Sequence, residues 1–355
     1  MDPIEQFRGR ITHATKFYVG EKYCTTARIN EDGDIVVVAN HNTAYGYNLF
    51  TEKCYAEFAG HDGHIEDIAI AADSSYVVTV GASRHVIFHD LTTGEVMIDH
   101  DLAQMISCCD LSPPMLKRLY VVSSKQGKQN PKFYVMTIDY PRASLVRKFD
   151  IPIDYSVRSM RTLDDDSVVL GTEDGQLLFI SISNKAIVKT VNAHKAAINF
   201  ITISPDHKFF VTASSETVAS AWPILDEGYD EETEYTPLAT YRHNMIVSCA
   251  AISPIAPHVV LASSDVQSQV ARTSIGSTSY TINFFNTIMQ EEFASMKVHM
   301  STVNWVGFTP DGYTLCTVSS EGTLMVVRLG ADYKEFIRQH KGELNNYLEQ
   351  FKYGE

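Results

Sequence analysis

Short apolar runs, many of them alternating with polar positions, recur along most of the chain, and turn residues separate them. The stretch from Ile288 to Val327 shows the pattern most clearly. It reads as a strand, a His-bearing loop and three further short strands, with Pro310-Asp311-Gly312 and Glu321-Gly322 as the tight turns. The same unit recurs. One copy opens at Gly60-His61 and closes at Phe88-His89-Asp90. Another opens at His194 and runs through Ile198–Ile203, Ser204-Pro205-Asp206, Phe209–Ala213 and Val218–Trp222. Between them lie Ser156–Arg161, Val168–Gly171, the turn Glu173-Asp174-Gly175 and Leu177–Ile182.

One such four-stranded unit cannot bury both of its faces, so its repetition predicts stacking of neighbours into a ring. The predicted fold class is all-β, a seven-bladed β-propeller of the WD40 type, forming a single domain over residues 1–336. The blades are placed at about 22–54, 55–102, 103–150, 151–193, 194–243, 244–298 and 299–336. Residues 3–7 are expected to supply an N-terminal strand that closes the last blade, because closure removes an exposed edge. After Asp332 the period changes: Ile337, Leu344, Leu348 and Phe351 recur at helical spacing, which predicts a short C-terminal helix over 337–355.

Composition narrows the function classes. The 355 residues are 45% hydrophobic and 20% charged, with 29 Lys and Arg against 43 Asp and Glu, a net charge of −14. That balance disfavours a phosphate-coating surface and favours protein partners, so direct nucleic-acid binding should be slight. The six cysteines form no C-x-x-C pair and no disulfide spacing. Met1–Phe7 has no basic region leading into an apolar run, and no segment approaches the roughly 18 uninterrupted apolar residues of a membrane span, so a cytoplasmic protein is expected.

From Val259 onward the residues Val259-Val260-Leu261, Val270-Ala271-Arg272-Thr273-Ser274, Phe284-Phe285, Glu291-Glu292-Phe293, His299 and Phe308-Thr309-Pro310-Asp311-Gly312 form an ordered set. Val211-Thr212-Ala213-Ser214 and Gly60-His61-Asp62-Gly63 extend it. With these the chain resembles the subunit i family of eukaryotic translation initiation factor 3, a group of seven-bladed WD-repeat proteins. The resemblance implies a non-catalytic scaffold. Its ring grips the C-terminal helix of subunit b along the fifth and sixth blades, carries an N-terminal segment of subunit g, and reaches the small ribosomal subunit through the complex. The competing expectation is a general WD40 adaptor in a signalling or ubiquitin-ligase complex, since one scaffold serves many roles.

The chain departs from the WD pattern. His61 and Thr79 are present in the second blade, but Ser83 stands near the turn Asp position and His89 replaces Trp; in the fifth blade Glu216 occupies the turn and Pro223 the terminal Asp position. Each lost buried hydrogen bond should cost about 1 kcal/mol, so the ring is expected to rely more on apolar burial. No catalytic, cofactor-binding or metal-binding residues are assigned. His61-x-x-His64 lacks a third ligand, Cys108-Cys109 should point to opposite faces of a strand, and Asp164-Asp165-Asp166 reads as a solvated turn. No convergent acids or histidines are found for the central channel, and no cofactor is called for. The basic loop Lys125–Lys132 should project from the ring. The acidic run Asp226–Glu234 should steer a basic helix toward the fifth and sixth blades, which makes Glu216, Asp226, Asp230 and Glu232 the candidate partner-binding residues.

Overall fold

The computed structural model describes residues 11–20, 22–139, 144–225, 229, 234–264, 280–330 and 333, and their regular structure is built from β-strands. Twenty-eight strands form seven four-stranded antiparallel sheets. The innermost strands are Cys24–Ile29, Ile65–Ile70, Ile106–Leu111, Val157–Thr162, Ile198–Ile203, Ile246–Ile252 and Val303–Phe308. Each lies beside the next, and the seventh returns to the first, so the seven-bladed WD40-type propeller read from the sequence is the fold.

Position in the sheet explains composition. A middle strand such as Ile35–Asn40 or Phe209–Ser214 is buried along almost its whole length, because adjacent blades cover both of its faces, and it is written in Val, Phe, Ala and Thr. An outermost strand such as Lys53–Phe58 shows exposed and buried positions in turn, with Ala56 and Phe58 inward. Apolar clusters fill the spaces between adjacent blades, for example Val78, Phe88, Val121 and Tyr134 between the second and third.

Every innermost strand carries a register shift against its neighbour at its first residues, between Cys24 and Ala27, Ile65 and Asp67, Ile106 and Cys108, Val157 and Ser159, Ile198 and Phe200, Val247 and Cys249, and Val303 and Trp305. A bulge leaves one residue out of the ladder and re-aims its side chain. Here the freed side chains latch one blade to the next. Thr25 Oγ1 donates to the Ile65 carbonyl at 2.7 Å, Asn199 Nδ2 to Val247 at 3.0 Å, Ser248 Oγ to Val303 at 2.5 Å, and Asn304 Nδ2 to Cys24 at 2.6 Å. Carboxylates take over between the second and third blades, where Asp67 Oδ2 accepts from Cys109 N at 3.2 Å, and between the third and fourth, where Asp110 Oδ2 accepts from Thr162 N at 2.7 Å.

The Asn304 latch spans the joint where the circle closes. Replacing Asn304 by Ala removes its bonds to Cys24 and to Ser320 Oγ (2.9 Å). The expected cost is about 1–2 kcal/mol, read as a lower urea midpoint with an unchanged slope. An unmoved midpoint would mean that the latch does not hold the joint.

The closing strand is N-terminal, as expected, but it is Ile11–Tyr18, paired with Thr323–Leu329. The segment 3–7, to which the sequence reading gave that task, lies outside the described residues, as does the tail 337–355. The strand Glu292–His299 belongs to the sixth sheet rather than to the unit it precedes. The limits drawn at 54/55, 150/151 and 298/299 fall inside the outermost strands Lys53–Phe58, Ser144–Pro152 and Glu292–His299. Beyond the last strand, Tyr333 is fully buried between the sixth and seventh blades and its hydroxyl meets His258 Nδ1 at 3.1 Å.

Candidate functional site

The departures from the WD pattern do not leave the polar network broken. In the fifth blade Thr212 Oγ1 sits at the centre: His194 Nε2 lies 2.7 Å away, Trp222 Nε1 donates at 3.0 Å, and the hydroxyl reaches the Ser220 carbonyl at 3.2 Å. Glu216 fills the place of the turn Asp. Its Oε1 is 2.6 Å from His194 Nδ1 and its Oε2 accepts from Lys195 N at 3.1 Å. In the second blade His61 meets Thr79 Oγ1 at 2.8 Å and Ser83 Oγ on its other nitrogen, while His89 Nε2 stands 3.2 Å from the same Thr79 where Trp222 stands in the fifth. In the seventh, His299 joins Thr317 at 2.8 Å and Thr323 at 3.0 Å. The expectation of lost bonds is therefore corrected: Ser83, His89 and Glu216 supply substitutes.

The electrostatics follow from burial. His61 and His89 are driven down to about 4, first by burial and, for His61, by the neighbouring His89 ring, so both are neutral at pH 7. Burial also lowers His194 and His299, against the raising effect of Glu216 and Glu321 respectively. Burial pushes Glu321 up, yet hydrogen bonds from Lys16, Thr323 and His299 outweigh it and hold the carboxyl at about 2.

Of the four candidate partner-binding residues, the structure describes only Glu216; Asp226, Asp230 and Glu232 lie outside the described residues. Glu216 keeps 21% of its side chain exposed while bonding His194. Two tyrosines of this stretch are described, Tyr229 within the acidic run and Tyr235 just after it. Tyr229 stacks on Phe179 at 4.1 Å and Tyr235 lies parallel to Trp222 at 5.6 Å, within the apolar cluster between the fourth and fifth blades.

At that next junction Gln290 Oε1 accepts from Thr240 N at 3.2 Å and Tyr241 Oη donates to the Thr287 carbonyl at 3.2 Å, so a turn of the sixth blade rests on the outer strand of the fifth. Two large apolar side chains flank this joint in the open, Leu238 at 61% exposure and Met289 at 53%. Sequence reasoning missed them, because a lone Leu or Met in a turn gives no periodic signal.

The central channel also holds more than was expected. Arg28 Nη2 pairs with Asp67 Oδ1 at 2.8 Å, and the Arg28 and Arg161 guanidiniums lie 5.9 and 5.1 Å from the Phe200 ring centre. Acids therefore do converge there, a correction. Both accept hydrogen bonds, Asp67 from Arg28 and a backbone N–H and Asp110 from a backbone N–H, so they serve as blade joints. A cavity of about 510 Å³ opens beside them on the face of the turns, with Trp305 and Phe308 in its wall.

Cys108 and Cys109 are buried on opposite faces, in different apolar clusters, and burial raises both thiols. His64 bonds Glu66 at 2.7 Å, and no group of three metal-binding side chains gathers among the described residues. In the acidic turn Asp164 Oδ1 accepts from Asp166 N and Ser167 N, while Asp166 accepts from Ser181 and Ser183. At the ends of the basic loop, Lys125 lines a mouth of the channel and Lys132 pairs with Asp150 at 3.1 Å. No described helix is long and apolar enough to cross a membrane.

Comparison with known proteins agrees with this geometry. Residues 52–90 and 185–222 match the family described as WD domain, G-beta repeat. Over 326 residues, 89% of this chain and 97% of the relative, the chain is 25% identical to "Eukaryotic translation initiation factor 3 subunit I" of Culex quinquefasciatus. The protein of the same name from Drosophila mojavensis is 26% identical over 325 residues, covering 89% of this chain and 98% of that one. Among solved structures, the β-propeller domain of Myceliophteria thermophila Cps50 (Swd1) superposes with a TM-score of 0.75 at 13% identity, over 90% of this chain and 99% of that one, and so supports the fold alone. The resemblance drawn from the sixth and seventh blades thus extends across the chain, at the low identity of a divergent relative.

Proposed function

We propose that this chain is a non-catalytic scaffold subunit of eukaryotic translation initiation factor 3, working in the cytoplasm to support assembly of the 43S preinitiation complex and start-codon scanning. The observation that carries this reading is the likeness to curated subunits I over nearly nine-tenths of the chain (89%). The surface that receives the C-terminal helix of subunit b is the joint of the fifth and sixth blades. Support comes from its chemistry: Leu238 and Met289 offer apolar contacts for the greasy stripe of an amphipathic helix. The acids Asp226, Asp230 and Glu232 add charge that speeds the approach of a basic segment more than it tightens the final complex. A second contact holds subunit g.

The experiment is a binding titration with the C-terminal helix of subunit b. Leu238→Asp with Met289→Asp should weaken it about tenfold or more, because each exposed anchor is worth about 1 kcal/mol or above when covered. Reversing Asp226, Asp230 and Glu232 to Lys should slow association and flatten its salt dependence. Glu216 is left intact in this test, since its carboxylate is bonded to His194 and a change there would disturb the blade. Unaltered binding in both variants at low salt removes this surface from the reading. Purification of the tagged chain from cells with ligase or kinase components, and without initiation-factor subunits, removes the reading itself.

A further inference from the structure

Charge is spread unevenly around the ring. Residues 103–153, which build the third blade, hold eight Lys and Arg against three Asp and no Glu, in a chain whose net charge is −14. Of those three acids, Asp110 serves the joint with the fourth blade, and Asp150 is shared by Lys132 at 3.1 Å and by Arg147. Lys125 and Lys128, on the loop before the strand Lys132–Asp139, and Lys148, on the outermost strand, are exposed. Among the described residues none of the three is in an ion pair. The acids around the loop have other partners: Glu66 pairs with His64 at 2.7 Å, Glu173 with Arg158 at 3.0 Å, and Asp154 accepts from the Asn130 amide at 3.1 Å. On the side of the second blade Asp99 pairs with His85 at 2.5 Å, and Asp101 accepts from Ala103 N at 2.7 Å.

The loop is held in shape before anything binds. Gln126 N donates to the Gln129 carbonyl at 3.2 Å and Gln129 N returns a bond at 2.9 Å, which closes a tight hairpin with Gly127 at its tip, φ 57°. Its base is fastened to the blade. Gln104 Nε2 donates to Gln129 Oε1 at 3.2 Å, Lys132 N to Ser123 Oγ at 2.9 Å, and Ile153 N to the Pro131 carbonyl at 2.9 Å. A basic finger with a fixed backbone loses little freedom on binding. Its composition decides what it can hold. Residues 124–132 carry no aromatic side chain, and their single apolar ring, Pro131, is buried. The finger therefore offers neither the anchor that dominates peptide interfaces nor a platform on which single-stranded bases stack. Lysines and side-chain amides remain, and these are the groups that contact phosphate and sugar. Distant acids oppose a polyanion weakly, since charges beyond about 8 Å are screened at physiological salt.

We propose that this hairpin, with Lys148 of the same blade, contacts the phosphate backbone of a double-stranded nucleic acid without reading its sequence. The contact is local and weak, and it does not depend on the partner surface of the fifth and sixth blades. The test is fluorescence-anisotropy titration of the intact protein with four probes of equal length: an RNA duplex of about 20 base pairs, a DNA duplex, a single RNA strand and polyglutamate. A duplex should bind with a Kd of about 1–100 μM, and log affinity should fall with log salt at a slope of about −3, as for three or four neutralised phosphates. The tighter of the two duplexes identifies the source of the phosphates. Lys125→Gln with Lys128→Gln should weaken that duplex about tenfold at about 50 mM salt and reduce the slope by about two. Lys53→Gln with Lys297→Gln removes the same charge from exposed positions on the outermost strands of the first and sixth blades, and should change neither. Unchanged binding in the loop variant, or an equal loss in the control variant, overturns the assignment. Tighter binding of the single strand, or of polyglutamate as the stand-in for an acidic protein partner, overturns it as well.

Discussion

Between pH 7 and pH 5 the propeller should lose about 4 kcal/mol of stability through two histidines of the second blade, and about 6 kcal/mol by the time the pH falls below 4. The sign comes from burial. His61 and His89 stand at about 4 in the folded chain, against 6.5 when free in water. In the window between those values the unfolded chain binds protons that the folded chain refuses, so acid draws the equilibrium toward unfolding. The loss starts below 6.5 and is complete below about 4, at about 3 kcal/mol per ring. Domains have only about 5–15 kcal/mol in total, so blade 2 should set the acid limit of the fold. Urea unfolding at pH 7.5, 6, 5 and 4 measures this directly. His89→Trp restores the residue that Trp222 provides in the fifth blade and removes one titrating ring, so it should reduce the slope by about half. A midpoint that is level from pH 7.5 to 5 would show that both rings take up protons without opening the blade.

The parts of the fold that could be read from the sequence are those whose two faces are buried. Middle strands such as Phe209–Ser214 and Thr314–Ser319 are buried runs of apolar residues with Thr and Ser because neighbouring blades cover them, and the turns around them carry Pro205-Asp206 and Glu216 in the one, Pro310-Asp311-Gly312 and Glu321-Gly322 in the other. Outer strands are a different matter. Ile11–Tyr18 includes the exposed Ala14, Lys16 and Tyr18, and Lys53–Phe58 opens with three exposed residues, so an apolar pattern too weak to mark a strand is what an edge position produces. That is why the closing strand was sought at residues 3–7 and why blade limits fell within outer strands.

The site was less legible for two reasons. Polar networks tolerate exchange: the sequence asks for Asp and Trp, whereas hydrogen bonding asks only for an acceptor and a donor in reach, and Ser83, Glu216 and His89 meet that need. The channel charges depend on bulge phase. Asp67, Asp110 and Arg161 sit in apolar strands, and only the register shift near the start of each strand decides whether such a residue faces the channel or a neighbouring blade. A charged residue inside an otherwise apolar innermost strand was the available signal. Exposed anchors such as Leu238 had none.

Trp222→Ala should be the most damaging single truncation in the fifth blade, and it should separate the two roles of that residue. The indole is 2% exposed, donates to Thr212 and lies parallel to Tyr235. Removing it leaves a cavity in the cluster between the fourth and fifth blades, at a cost of about 3–5 kcal/mol. Trp222→Phe keeps most of the ring contact and forfeits the hydrogen bond alone, about 1 kcal/mol. The functional consequence follows from the tether. Tyr229, within the acidic segment, and Tyr235, just after it, pack in one cluster, and Tyr235 rests on Trp222 and Phe179. Loss of the indole should therefore slow association with a basic helix by several-fold under conditions where the ring is still folded, while Trp222→Phe leaves the rate alone. Urea titration followed by circular dichroism, with stopped-flow binding below the unfolding range, tests both halves. If Phe destabilises as much as Ala, the donor to Thr212 dominates and the packing account fails; if Ala costs under 1 kcal/mol, the tyrosine tether does not depend on this residue.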